Sequence, residues 1–65
     1  MFRGLKGRRV VINTAGEGFR GTVISARWGH IRLSDVEVLE PTGDVGHAEG
    51  FVRIPRSLIT WIQEL

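Results

Sequence analysis

Apolar residues along this chain recur mostly at every second position, in short runs broken by glycine, proline and polar stretches. In RRVVIN, Val10 and Ile12 share one face, the period of a strand. TAGEG follows as a turn, with Gly16 and Gly18 placed to take positive φ. The β-branched and aromatic residues resume from Gly18 to Ala26, and Gly21 interrupts that strand where a bend or a close backbone approach is expected. RWGH is a tight connection into IRLSDVEVLE, whose apolar members are Ile31, Leu33, Val36 and Val38. The change of phase between Leu33 and Val36 predicts a bulge near Ser34–Asp35. Pro41 to Ala48 reads as a polar loop. EGFVRI is the next strand, with Phe51 inward alongside Val52 and Ile54, and Pro55 ends its ladder for want of an amide hydrogen. SLITWIQEL fits a helical face about as well as a strand, and its β-branched content favours the strand. Residues 1–7 form a short lead-in, either one turn of helix or a strand extension.

Five short strands joined by tight turns make an all-β barrel or sandwich, and with so little sequence a barrel is favoured, since it closes most of its edges. At 65 residues the chain is one domain, residues 1–65. A domain this short buries only about 60% of the surface its unfolded chain exposes. It has no cysteine, so neither disulfides nor a thiolate-bound zinc can staple it. Self-association is the remaining device, and a homo-oligomer is expected. No apolar run approaches the roughly 20 residues of a membrane span, and no signal-peptide pattern opens the chain. A cytoplasmic location is the expectation.

Charge changes this picture little in amount and more in kind. The net charge is +2, but the basic residues are arginines apart from Lys6. Arginine is the better fork for phosphate and the better plate for stacking on bases. A GC-rich coding genome gives the same bias, and the composition suits a phage or actinobacterial gene.

The stretch LKGRRVVINTAGEGFRGTVISA resembles the first motif of the Sm-like family, which takes in Sm, LSm and Hfq proteins. Its hallmark leucine and glycines are here Leu5, Gly7, Gly18 and Gly21. IRLSDVEVLE is similar to the family's third strand. GFVRIPRSLITWI resembles the second motif, with Ile54, Ile59 and Ile62 at its apolar positions. The resemblance runs from Leu5 to Ile62. It implies a small, strongly bent five-stranded antiparallel barrel of the SH3-like kind, whose fourth and fifth strands pair between neighbours in a ring of roughly five to eight subunits, consistent with exposed strand edges being templates for another chain. It also implies an RNA pocket, from which this sequence departs. With one residue lost in the turn after the second strand, Trp28 falls at the family's stacking aromatic and His30 at its base-reading asparagine. Arg27 then stands near the place of an aspartate, and Pro55–Arg56 replace an Arg-Gly pair.

Among candidate residues, Trp28 sits between Arg27 and His30, a pairing suited to stacking and phosphate contact; the structural alternative is that it packs over Gly29 or plugs a subunit interface. Arg53, Arg56, Arg27 and Arg32 would form basic rings by symmetry, or else ion pairs between subunits with Asp35 or Glu37. Arg3, Lys6, Arg8 and Arg9 make a basic N-terminal cluster suited to phosphate or simply to solvent. The two histidines, His30 and His47, have no metal-ligand spacing around them, and no metal or cofactor is expected. Ser25, Ser34 and Ser57 lack a His–Asp partner set, and the glycines are followed by no GK[ST], so an enzyme is not expected. Trp61 is expected in the core or as a lid over an interface. Two functions fit these residues. One is a homo-oligomeric ring binding RNA or single-stranded nucleic acid with low sequence specificity, through Trp28, His30, Arg56, Arg27, Arg53, Arg8 and Arg9. The other is an oligomeric protein-interaction module with no nucleic-acid role.

Overall fold

Val10 and Ile12 are fully buried, and the strand that carries them, β1 (Arg9–Thr14), sits between two antiparallel neighbours. The computed structural model describes residues 4–65, so Arg3 of the basic N-terminal cluster lies outside the described residues. After β1 come β2 (Gly18–Arg27), β3 (His30–Leu39), β4 (Val45–Ala48), β5 (Val52–Pro55), a 3-10 turn (Arg56–Leu58) and β6 (Ile59–Glu64). The sheet runs β4-β3-β2-β1-β6, with β5 also on β3. No α-helix occurs among the described residues, and the fold is an all-β, bent antiparallel sheet. Its core is wholly aliphatic: Val10, Ile12, Val23, Ile31, Leu33, Val36 and Ile54, with Leu5, Phe19, Ile59 and Ile62 packed against it.

The bend has a local cause. Between Arg20↔Glu37 and Thr22↔Ser34 the register slips by one residue, leaving an extra residue on β3; a second slip follows between Val23 and Ser25 on β2. Asp35, the exposed residue of the first bulge, holds a φ of 50°. Opposite it is Gly21, where a Cβ would lie 3.0 Å from the Ser34 carbonyl oxygen and 3.2 Å from Leu33 Cβ and Val36 Cγ2. Gly21 therefore lets β2 and β3 cross closely where the sheet folds over its core. The bulge at Ser34–Asp35 and the close approach at Gly21 both stand as the sequence predicts.

Other expectations need correction. Gly16 and Gly18 are not at positive φ. Their turn is closed by Thr14, whose amide and hydroxyl both donate to the Glu17 carbonyl, at 2.9 and 3.1 Å. The supposed loop from Pro41 to Ala48 is half strand: Val45–Ala48 pairs with Val36–Leu39 as β4. None of the β4 side chains is buried, so main-chain pairing holds this strand and no apolar alternation announces it. The fourth strand of the expected five is thus two segments along one edge of β3, interrupted at residues 49–51. Phe51 does not face inward. Val52 and Ile54 take the inward places, and alternation sends Phe51 out with Arg53; it is 64% exposed. The last segment is a strand, as its β-branched content favours, but Trp61, 53% exposed, is no part of the core. The described part of the lead-in is a turn closed by the Arg8 amide on the Leu5 carbonyl, 2.9 Å, and not a helix or strand.

Candidate functional site

The β2–β3 hairpin turns on two residues, Trp28 and Gly29, between the paired Arg27 and His30. Both turn residues have positive φ, 57° and 78°. That is the pattern of a type I′ hairpin, whose twist matches the strands it joins. Glycine is at ease there and tryptophan is not. The indole is nevertheless 85% exposed, so it is not packed away over Gly29. A large aromatic held out in a costly backbone conformation, with no burial to offset it, points to a task at the tip.

A second loop is tied to this tip. The Arg56 amide donates to the Gly29 carbonyl at 2.7 Å, and His30 pairs with Pro55 across β3 and β5. Four of the residues singled out in the sequence, Arg27, Trp28, His30 and Arg56, are thereby gathered at one end of the sheet. Arg53 lies two residues back along β5, directly across from Arg32. The structure does not bring Arg8 and Arg9 to this end. Arg9 is opposite Thr22, about 17 Å along β2 from Arg27 at roughly 3.3 Å per residue.

Arg9 is also occupied. Its guanidinium donates to Thr22 Oγ1 at 3.2 Å and to the Asp35 carbonyl at 3.0 Å, and lies 3.9 Å from Glu37. It braces the bulge. Arg8 pairs with Glu64 at 3.3 Å, an exposed contact between the start of β1 and the end of β6. Glu37 accepts a 2.5 Å hydrogen bond from Arg20 Nε, which holds its carboxyl below the usual range; desolvation opposes this, and the charges of Arg20, His47 and Arg9 add to it. Glu37 is thus engaged within its own chain. Among the described residues no three His, Cys, Asp or Glu side chains are grouped to hold a metal ion.

The likeness to solved structures decides the fold. One match is a heptameric archaeal Sm protein, at TM-score 0.82 and 19% identity, covering 94% of this chain and 90% of that one. Another is the Pyrococcus abyssii Sm protein in complex with a uridine heptamer, at TM-score 0.82 and 22% identity, covering 94% and 87%. The chain has the Sm fold. No protein-family model matches it, and no curated protein does. The likeness to these Sm proteins therefore rests on backbone shape over nearly the whole chain, while few side chains are shared.

One feature of this Sm-fold surface is not foreseen from the sequence: the Arg32 guanidinium lies over the Phe51 ring, 5.0 Å from its centroid. The signal available was the alternation of β3, which puts Arg32 on the face opposite Ile31 and Leu33. Placing Phe51 inward conceals the pair.

Proposed function

We infer that this chain assembles into a homo-oligomeric ring and binds RNA or other single-stranded nucleic acid there with low sequence specificity. The observation that carries the reading is the hairpin tip: Trp28, 85% exposed at φ 57°, tied through Gly29 to the loop that bears Arg56. A base stacked on an aromatic side chain contributes about 1–3 kcal/mol and tolerates any sequence, because every base has a π-face. Arg27 precedes the tryptophan in the chain and Arg56 stands in the loop bonded to its turn, which brings basic residues to the tip. Repeated around a ring, a weak contact of this kind gains by avidity. The absence of an acidic group beside Trp28, where Arg27 stands, favours phosphate contact over base reading.

Assembly is supported by the sheet's two ends. One end is the outer side of β4 and β5, the other is β6, and neither pairs with a further strand among the described residues. Exposed apolar residues mark both: Val45 at the first, Leu58, Trp61 and Leu65 at the second. Joining unlike edges head to tail closes a ring if the rotation permits. The heptameric archaeal Sm protein and the Sm protein bound to a uridine heptamer support both halves of the proposal through their shared fold.

The test is mass in solution by native mass spectrometry, with and without U-rich and A-rich oligonucleotides across a salt series. A ring that gains nucleic acid and releases it with salt is the expected result. A ring that ignores nucleic acid leaves the assembly and moves the function to a protein partner. A strict monomer removes both.

A further inference from the structure

The outer face of β3 and β5 carries a charge arrangement that folding alone does not favour. Ile31, Leu33 and Ile54 point into the core, so Arg32 and Arg53 share the opposite face, and the two are direct cross-strand partners. Like charges facing each other across a ladder destabilise it. No acidic side chain among the described residues pairs with either: the ion pairs among those residues are made by Arg8, Arg9 and Arg20. Beside them Phe51 exposes 64% of its surface, with the Arg32 guanidinium 5.0 Å from its ring centroid. The same face continues through His30 and Arg27 to the tip that holds Trp28. From Trp28 to the level of Ser34, beside Phe51, is about 20 Å at roughly 3.3 Å per residue.

We propose that this face is a second nucleic-acid station, on which a single strand leaving the Trp28 tip stacks a base on the Phe51–Arg32 pair and sets phosphates on Arg53. The inference rests on the proposed function, since it extends a strand already bound at the tip. Three observations support this ligand. A phosphate relieves the Arg32–Arg53 repulsion. An exposed aromatic backed by a guanidinium is a stacking plate that does not depend on sequence. The spacing from the tip suits a polymer and exceeds the reach of a single small anion. In contrast to the tip, this station takes no part in the contact between Gly29 and Arg56, so it can be removed separately.

The experiment measures affinity by fluorescence anisotropy for two labelled oligouridines, one short enough to occupy only the tip and one several times longer. Proteins compared are the full-length chain and its Trp28→Ala, Phe51→Ala and Arg53→Gln variants. Trp28→Ala is expected to weaken both oligonucleotides. Phe51→Ala and Arg53→Gln are each expected to weaken the long one by about 5- to 100-fold and to leave the short one within about twofold. Arg53→Gln should also flatten the salt dependence for the long strand, by about 0.7 in the log–log slope for each phosphate that the side chain neutralised. Because Phe51 lies near a sheet edge, particle mass is measured for each variant. Should Phe51→Ala change the mass, Arg53→Gln decides alone. Unchanged long-strand affinity in Arg53→Gln, or an equal weakening on both lengths, overturns the second station while leaving the tip intact. If the wild-type chain binds neither strand, the tip reading falls as well.

Discussion

The Arg56 amide and the Gly29 carbonyl meet at 2.7 Å, joining the turn after β5 to the tip of the β2–β3 hairpin. This bond fixes a turn whose first residue, Trp28, sits at φ 57°. Left-handed backbone costs an ordinary L-residue about 1–2 kcal/mol, whereas asparagine adopts it readily. Trp28→Asn is therefore expected to raise the melting temperature, by about 4–8 °C for each kcal/mol recovered in a domain of this size. The same change is expected to weaken nucleic-acid binding. Calorimetry at fixed protein concentration, paired with a binding titration, checks both. A lowered melting temperature would mean that the indole makes stabilising contacts, as it would in a subunit interface.

Gly21 tests the bend. A Cβ there would meet the Ser34 carbonyl at 3.0 Å and two core side chains at 3.2 Å, so these neighbours would have to give way by a few tenths of an ångström. Gly21→Ala is expected to destabilise the fold by about 1–3 kcal/mol, as overpacking does in a filled core. Urea unfolding would register this as a lower midpoint. An unchanged midpoint would show that β2 and β3 can separate at no cost.

Acid should loosen the Arg20–Glu37 contact. The hydrogen bond from Arg20 holds the Glu37 carboxyl below its ordinary value. A depressed folded-state value means stabilisation that is present above the unfolded glutamate range, about 4.3, and lost as pH falls through the folded value. Glu37→Gln is thus expected to melt below the wild type at neutral pH, with the gap closing on acidification. A gap that stays constant across the titration would rule out the charge of Glu37 as its source.

Trp61 tests assembly. It is 53% exposed on β6, the strand at one open end of the sheet, beside the exposed Leu58 and Leu65. Trp61→Glu is expected to reduce the particle mass in light scattering while leaving the far-ultraviolet circular dichroism of the sheet in place. A ring of undiminished mass would exclude the β6 edge from the subunit contact.

Strand periodicity made much of this fold legible. Val10, Ile12, Ile31, Leu33, Val36 and Ile54 are all buried, because a sheet with one face on a core must place apolar residues at every second position. Gly21 and the phase change at Ser34–Asp35 marked the bend, since a break in alternation can only be absorbed by a bulge. The make-up of the tip was legible too, as a tryptophan and a glycine in a turn that follows an arginine.

Tertiary structure decided what no local pattern carries. β4 exists because β3 has a free edge to pair with, and its exposed side chains leave no periodic trace. Phe51 turned outward because Val52 and Ile54 took the inward places, a choice that the run EGFVRI leaves open. Arg9 became a brace for the bulge, and Arg56 came to the Gly29 carbonyl, through register between strands far apart in the chain. Sequence by itself determined which residues must leave water and where the backbone must bend, because those are properties of single strands. Which side chains meet on the outer face depended on how the strands pair, and that is settled only when the whole sheet closes over its core.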